Sequence, residues 1–313
     1  MGHLRVGQLV APSDRHYSAV VRVSAPLPTC LLNGEFLPLK DARISPLDRG
    51  FLFADAVYEV VPVYGARPFR LREHLLRLDR SLEGIRMAPV MTHDAWAKLL
   101  LELISRNKAR EATLYLQVTR GAEHGRNHIW PEGLTPTIFA YCTEVEPMPA
   151  AMLERGVAAV TAEEIRWARR DIKSTALLGN ILLKKLAADA GAFETIMIEN
   201  GELTEGSSTT VHVVKDGVIC TPPNSHRILP GTTRDVVTTL AERLRIPCRS
   251  VAVSAAQLRA ADEIWLAFAT RGLLPVTALD ARPVGAGRPG PQFARLYEAF
   301  QGYIAELAGT PAL

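Results

Sequence analysis

One lysine stands apart from the other residues able to do covalent chemistry. The chain has seven lysines among 36 basic residues, and Lys173 in "RRDIKSTALL" (169–178) follows an apolar isoleucine. A lysine that attacks a carbonyl carbon must spend time as a neutral amine, although free lysine has a pKa of about 10.4. Burial or nearby positive charge favours the neutral form, and "EIRWARRDIK" combines apolar positions with three arginines. This segment alone does not distinguish a covalent catalyst from a lysine that reaches solvent. The other six are predicted to be solvated: Lys40, Lys98, Lys108, Lys184, Lys185 and Lys215.

A second segment, "ILPGTTRDVV" (228–237), is typical of an anion site. Gly231, Thr232 and Thr233 precede a predicted helix, where free N–H groups and the positive end of the dipole attract phosphate. Asp235 offers the alternative of an ordinary capping box. A cap needs only one hydroxyl, whereas this segment supplies two hydroxyls and a glycine. We therefore favour phosphate binding.

The third candidate is an acid in "ELTEGSSTTV" (202–211), where Glu205 precedes a glycine and four hydroxyl residues. A carboxylate here can pair with a protonated ring nitrogen and make a pyridine ring a stronger electron sink. Glutamates in turns are more often simply solvated. Taken alone, this segment favours the solvated interpretation.

Alternating apolar residues, helical spacing and turn residues define the elements that must position these groups. The first half has a hairpin signal, a long apolar run, two helical patterns and two further strands, in this order: "LLNGEFL", "GFLFADAVYEVVPVYG", "REHLLRLDRSLEGIRM", "THDAWAKLLLELISRN", "ATLYLQVTRG" and "PTIFAYCTEV". We predict that all of "GFLFADAVYEVVPVYG" is strand-like.

The second half also mixes strands, turns and helices. "GVAAVTAEEIRW" and "EIWLAFA" are predicted strands, "STALLGNILLKKLAADAG" is a predicted helix, and a last helix begins near Gln292. The prolines of "EVEPMPAAM" indicate a linker. We predict an α+β fold (mixed α/β) with two domains, divided into an N-terminal extension (1–29), a small domain (30–146), a linker (147–155) and a large domain (156–313).

Composition excludes several classes of protein. The net charge of +3 is nearly balanced and has no run of one sign, which argues against nucleic acid as a partner. No apolar run is long enough to cross a membrane. The four cysteines lack metal-site spacing and indicate reduced thiols in the cytoplasm. Residues 1–28 weakly resemble a transit peptide, and we interpret them as a loosely ordered extension.

Taken together, these segments resemble the fold-type IV pyridoxal-phosphate enzymes, which include branched-chain and D-amino acid aminotransferases and aminodeoxychorismate lyase. The resemblance covers about residues 30–307 and rests on segments in the family's order: "DRGFLFADAVYEVVPVY", "EHLLRLDRS", "IRWARRDIKS", "LTEGSS" and "ILPGTTRDVV". It implies a larger C-terminal domain with a mixed, barrel-like sheet. It also implies pyridoxal 5'-phosphate as cofactor and a homodimer with its sites near the subunit interface.

The resemblance assigns a role to each candidate. Lys173 forms the Schiff base, Arg77 contacts the phosphate and Glu205 pairs with the pyridine nitrogen. Thr233 and the backbone of Thr232 bind the phosphate. Four further positions are expected to line the cofactor: Ser208, Thr209, Leu229 and Ala269.

One loop favours a subgroup of this family. "TRGAEHGRNHIWPEG" contains Arg126 and His128, which resemble the carboxylate trap of D-amino acid aminotransferases together with Tyr58. Arginine binds a carboxylate through two hydrogen bonds, and histidine and tyrosine add donors. The alternative is a solvated loop. We predict a ping-pong transamination between a D-amino acid such as D-alanine and a 2-oxo acid such as 2-oxoglutarate.

One segment departs from the family pattern, and other activities stay open. Relatives carry a second phosphate contact near "EIWLAFATRGLLPV", where this chain has Phe268 and Ala269, with Thr270 one place later. Either Thr270 or backbone N–H groups take that role, and Arg271 is unexpected. An L-branched-chain aminotransferase or an aminodeoxychorismate-type lyase would use the same scaffold. A non-catalytic scaffold protein is disfavoured because Lys173 and Glu205 are both present.

Overall fold

The computed structural model describes residues 25–309. They form two β-sheets, one from each half of the chain. Most of the predicted extension, residues 1–24, lies outside the described residues. The first strand begins at Pro26, inside the segment that we predicted as extension.

Six strands build the first sheet: β1 (Pro26–Leu32), β2 (Glu35–Pro38), β3 (Ala56–Tyr64), β4 (Arg67–Pro68), β5 (Ala112–Thr119) and β6 (Thr137–Glu144). They pair antiparallel in the order β2-β1-β6-β5-β3-β4. Asn33 and Gly34, with φ of 51° and 91°, form the tight turn of the predicted β1–β2 hairpin.

Helices α2 (Leu71–Gly84) and α3 (His93–Arg106) cover one face of this sheet. The Thr92 hydroxyl caps α3 by accepting a hydrogen bond from the Ala95 N–H. Helical spacing places Trp96, Leu100 and Leu103 on one buried face of α3. Burying such large side chains stabilises the domain by roughly 1.5–3 kcal/mol each.

The prediction of a continuous strand from Gly50 to Gly65 is wrong in its first part. Residues Arg49–Phe53 form a short helix, α1, and strand β3 begins only at Ala56. The Asp48 carboxylate caps α1 by accepting from the Gly50 N–H at 2.7 Å. A Cβ on residue 50 would lie 2.5 Å from Thr119 Cγ2, so only glycine allows this close packing.

The second half supplies fourteen elements: α4 (Ala150–Arg155), β7 (Val157–Glu163), α5 (Leu178–Asp189), β8 (Glu194–Glu199), β9 (Glu202–Gly206), β10 (Thr210–Lys215), β11 (Val218–Thr221), α6 (Thr232–Arg243), β12 (Cys248–Ser250), α7 (Ala255–Arg259), β13 (Glu263–Phe268), β14 (Gly272–Leu279), β15 (Arg282–Pro283) and α8 (Pro291–Gly309). Eight strands follow the order β12-β11-β10-β13-β14-β7-β8-β9, and β15 pairs with β14. Three of the pairs are parallel, so the sheet is mixed. The predicted linker contains α4.

The two sheets meet around the segment between β7 and α5. Ile172 belongs to the first sheet's core, where a Cβ on Gly84 would lie 2.8 Å from its side chain. Ser174 forms an isolated β-bridge with Val57 of β3. In the opposite direction, Phe69 packs into the core beneath α6 and α8. Residues from both halves therefore fix the surroundings of Lys173.

Within residues 25–309, no helix is both long and apolar enough to cross a membrane. The same stretch holds no cluster of three or more His, Cys, Asp or Glu side chains arranged for a metal ion.

Candidate active site

Lys173 is held by both halves of the chain. Its N–H donates to Ser81 Oγ of α2 at 3.2 Å, and its carbonyl accepts from the Tyr58 N–H of β3 at 3.0 Å. The side-chain Nζ lies 4.3 Å from the centroid of the Tyr58 ring. Because the main chain is fixed on two sides, the amine has a defined direction.

The amine lines a cavity of about 300 Å³, within the size range of small-molecule sites. Residues from three segments predicted independently from the sequence share this cavity. All but three of the predicted site residues line it: Tyr58, Arg77, Lys173, Glu205, Ser208, Thr209, Leu229, Thr232, Thr233 and Ala269.

The N-terminus of α6 forms one part of the wall. Gly231 is the N-cap, with extended backbone and no side-chain hydrogen bond to the cap. The capping-box interpretation through Asp235 therefore has no support in the structure. Thr232 and Thr233 stand in the first helical turn, and both line the cavity. Free N–H groups and hydroxyls at a helix N-terminus suit a phosphate.

Arg77 is oriented by a buried carboxylate on β3. Glu59, fully buried, accepts from Arg77 Nε and Nη2 at 2.8 Å each, and Arg77 Nη1 donates to the Pro230 carbonyl at 2.8 Å. Burial by itself would raise the pKa of Glu59, but the Arg77 charge and hydrogen bonds hold that pKa well below its usual range. The guanidinium group of Arg77 is thus fixed beside the loop that leads into α6.

His74 extends this network to Thr232. Its Nδ1 lies 2.7 Å from Glu59 Oε2, and its Nε2 lies 3.3 Å from Thr232 Oγ1. Burial lowers the pKa of His74 despite Glu59, which favours a neutral ring. An ionised carboxylate only accepts, so Nδ1 donates and Nε2 accepts the Thr232 hydroxyl proton. The Thr232 hydroxyl is therefore engaged, and its backbone N–H is the group left for a ligand.

Glu205 is buried between two donors. Arg166 Nη1 donates to its Oε1 at 2.8 Å, and the Leu229 N–H donates to its Oε2 at 3.1 Å. Burial raises the pKa of Glu205, and these two contacts oppose the increase. Arg166 is itself held by Glu164 at 2.6 Å. The structure thus gives Glu205 a fixed position on the cavity wall, unlike the solvated glutamate that its segment favoured.

Two residues of this network carry weak sequence signals. Arg166 is one of three closely spaced arginines, and nothing in the spacing distinguishes it from Arg169, which pairs with Asp171 at the surface. Glu59 is the single acid within the apolar run "AVYEVVPVY". A carboxylate inside a buried strand requires a cationic partner. This requirement could have identified Glu59 from the sequence as a residue that orients a buried arginine or lysine.

The loop between β9 and β10 completes the wall. Asn180 donates to the Ser207 carbonyl at 2.7 Å, and the buried Glu194 accepts from the hydroxyls of Ser207 and Ser208. Thr209 Oγ1 is buried, lines the cavity and has no hydrogen-bond partner among the described residues. A buried hydroxyl without a partner carries an energetic cost that a ligand removes.

Three predicted site residues lie elsewhere. Arg126 and His128 are exposed on the loop between β5 and β6 and pack on the Phe53 ring, at 5.0 and 5.6 Å. Thr270 lines a separate cavity at the end of β3, together with Arg271. Within one chain, Arg126 and His128 do not share a cavity with Lys173, whereas Tyr58 does.

The cavity combines an amine, a fixed carboxylate and a helix N-terminus suited to an anion, and these groups fit pyridoxal phosphate. Residues 56–279 match the family model described as Amino-transferase class IV. The chain belongs to this family. The chain is therefore an aminotransferase, and its antiparallel sheet, its mixed sheet and the helices that cover them confirm the predicted fold class.

Three known aminotransferases show how similar this chain is to individual members of the family. A D-alanine aminotransferase of Bacillus licheniformis is 38% identical over 281 residues, covering 90% of this chain and 99% of that protein. The branched-chain amino acid aminotransferase of Escherichia coli superposes with a TM-score of 0.84 at 28% identity, covering 89% of this chain and 95% of that one. The branched-chain amino acid aminotransferase of T.th., solved with pyridoxamine 5'-phosphate, gives a TM-score of 0.82 at 26% identity, covering 89% and 94%.

Proposed function

We propose that this chain is a pyridoxal-phosphate-dependent aminotransferase that exchanges the amino group of a D-amino acid, such as D-alanine, with a 2-oxo acid such as 2-oxoglutarate. One observation carries the proposal: Lys173, Glu205 and the N-terminus of α6 line the same cavity. The curated relative at 38% identity, a D-alanine aminotransferase, supports the choice of substrate.

The residues present fit the cofactor. Lys173 would hold it covalently, and Glu205 would face the ring nitrogen. Arg77, Thr233 and the backbone N–H of Thr232 would bind the phosphate, and the unpaired hydroxyl of Thr209 is available to the same ligand. When bound, pyridoxal phosphate supplies an aldehyde carbon and a ring that withdraws electrons from the substrate.

The chain's own residues would then perform proton transfer. The Lys173 amine would take a proton from the substrate α-carbon and later give it up again, acting as general base and then as general acid. Its main-chain contacts to Tyr58 and Ser81 hold the amine on one side of the cavity. Glu205 would stabilise positive charge on the ring nitrogen of the cofactor, and Arg166 keeps the Glu205 carboxylate in place.

The D preference is assigned to Tyr58, Arg126 and His128. Tyr58 lines the cavity, whereas the other two lie on an exposed loop. We propose a homodimer in which this loop reaches the partner's cavity. Exposed apolar side chains near the loop, Phe51 at 76% and Ile129 at 78%, support a contact surface there. We also propose a cytoplasmic location, supported by four free cysteines.

Subunit complementation tests the shared site. Lys173→Ala protein is expected to be inactive, and Arg126→Ala protein to be nearly inactive at D-alanine concentrations far below its raised KM. After unfolding and refolding as a mixture, random pairing gives one intact site in half of the dimers, or about a quarter of wild-type activity. No recovery, although an affinity tag carried by only one variant co-purifies the other and so shows mixed dimers, would contradict a trap contributed by the partner.

A second candidate is an L-branched-chain aminotransferase, favoured by the superposition on the Escherichia coli enzyme. A half-reaction screen separates the two. The enzyme is loaded with pyridoxal phosphate and mixed with D- or L-alanine, glutamate or valine while its visible absorption is recorded. D-alanine is expected to bleach the band, and bleaching by L-valine alone would reject the D-amino acid proposal.

A further inference from the structure

Arg49, at the start of α1, contacts the loop between β5 and β6 that carries Arg126 and His128, which we call the trap loop. The contact is on the buried side of this loop. The Arg49 side chain is 3% exposed. Its Nη1 donates to the Asn127 carbonyl at 2.7 Å, and its Nη2 donates to the His128 carbonyl at 3.3 Å. These two carbonyls belong to the stretch that carries Arg126 and His128. One guanidinium therefore holds the main chain between and just after the two trap residues.

Arg49 is itself rigidly held. Its Nε donates to Asp55 at 2.8 Å, and its Nη1 also donates to Glu123 at 2.5 Å, at the beginning of the same loop. Asp55 in addition accepts from Arg120 at 2.7 and 3.0 Å. The Arg120 guanidinium lies 4.1 Å from the centroid of the Trp130 ring, beyond the trap residues. The loop is thus fixed before, at and after the trap.

The outward side chains rest on the same helix. The guanidinium of Arg126 and the ring of His128 both contact Phe53, four residues after Arg49 and one turn along α1. Phe53 supports these side chains from below, while Arg49 fixes their main chain. An arginine that only neutralised Asp55 would have no need to contact loop carbonyls. The Arg49 guanidinium instead donates hydrogen bonds to two carboxylates and two carbonyls, and a lysine ammonium is too compact to reach all four.

We propose that Arg49 is a positioning residue for the substrate carboxylate: it sets the direction in which Arg126 and His128 present their donors. This inference rests on the proposed function, because it takes those two side chains as the carboxylate trap. Arg49 does not line the cavity, so it acts through the loop and not by contact with substrate.

Arg49→Lys tests the proposal, since it keeps the charge and removes the guanidinium group. We expect the KM values for D-alanine and 2-oxoglutarate to rise about tenfold or more, because small misplacement of a binding group has effects of this order. The kcat and the cofactor spectrum should change little, since the loop binds the substrate and does not carry the reacting groups. Arg43→Lys is the matched control: Arg43 donates only to two nearby carbonyls and is expected to leave KM unchanged.

A double-mutant cycle separates positioning from a general effect on folding. In an Arg126→Ala/His128→Ala background, Arg49→Lys should produce no further rise in KM, because the groups that it positions are gone. If the two KM effects multiply instead, Arg49 does not act through the trap and the proposal is overturned. Thermal midpoints of all variants provide the folding comparison.

Two further outcomes are informative. If Arg126→Ala/His128→Ala itself leaves KM for D-alanine unchanged, the trap fails and the role of Arg49 fails with it. If that variant raises KM while Arg49→Lys does not, only the Arg49 proposal fails. Should Arg49→Lys not fold, Glu123→Ala removes the acceptor that holds Arg49 Nη1 at the beginning of the loop and is expected to raise KM in the same direction. An unchanged KM in Glu123→Ala would then count against the proposal.

Discussion

Replacing Glu59 by glutamine tests the buried network of Glu59, Arg77 and His74 that lies beside the N-terminus of α6. The Glu59 carboxylate accepts three hydrogen bonds, two from Arg77 and one from His74. A glutamine side chain has one acceptor oxygen and presents an NH₂ group to the remaining donors. Arg77 is 3% exposed, so its charge would remain buried without a carboxylate. Breaking one side of a buried ion pair costs about 3 kcal/mol or more.

Urea unfolding of the apoprotein, followed by tryptophan fluorescence, measures this cost. With a slope of about 3 kcal/mol per M, we expect the midpoint to fall by roughly 1 M. Glu199→Gln is the control, because Arg170 and Arg227 keep Glu164 and Glu202 as partners. Glu199 is 29% exposed and both of its arginines keep another carboxylate, so its ion pairs should contribute less than about 1 kcal/mol. Equal midpoints for the two variants would refute the argument from buried charge.

The pH dependence gives a second check on the same residue. Because the pKa of Glu59 is lowered in the folded protein, its stabilisation is fully present above the unfolded-state pKa of about 4.3 and is lost as the pH falls below it. The difference in midpoint between wild type and Glu59→Gln should therefore be constant near neutral pH and shrink below about pH 4. A difference that grows with acidity would contradict this sign.

Three other substitutions follow from the site. Lys173→Ala should still bind pyridoxal phosphate but lose covalent labelling after borohydride reduction, and a labelled peptide from elsewhere in the variant would remove Lys173 from its role. Thr233→Val should weaken cofactor binding about tenfold by losing a hydrogen bond to a charged group, as measured by fluorescence titration. Thr239→Val, on the exposed side of the same helix, should leave that affinity unchanged. Gly121→Ala should lower the thermal midpoint by several degrees, because φ is +101° and the new Cβ would lie 2.0 Å from the Thr135 carbonyl oxygen; an unchanged midpoint would show that the backbone relaxes.

Much of the lining of the candidate site could be predicted because its groups lie at chain positions with strong local signals. Thr232 and Thr233 open a helix whose start is marked by Gly231, and Glu205 lies one residue before the end of a strand that follows an Asn-Gly turn. Such features depend on neighbouring residues. The sequence order of these segments also agreed with a known family, which is why separate weak signals supported one hypothesis.

What could not be predicted depends on distant partners. The residues "RGFLF" have the apolar content of a strand, and they form α1 because Asp48 caps it and Gly50 packs on Thr119 of β5. The choice of Arg166 as the partner of Glu205 depends on how β7 and β9 are placed in the sheet. In the proposed homodimer, the position of Arg126 relative to the cavity depends on how the subunits pack, for which the sequence of one chain has no local signal.

The attachment of Lys173 to Ser81, 92 residues earlier, has a consequence for how the enzyme matures. Contacts between residues so far apart in sequence form late in folding, after loop closure has brought both halves together. A newly made or partly unfolded chain would present this amine without its neighbours and would have no special reactivity toward aldehydes. If Lys173 holds the coenzyme as proposed, uptake of the coenzyme would report that both halves are folded and docked, and colour would measure the correctly folded protein in any preparation.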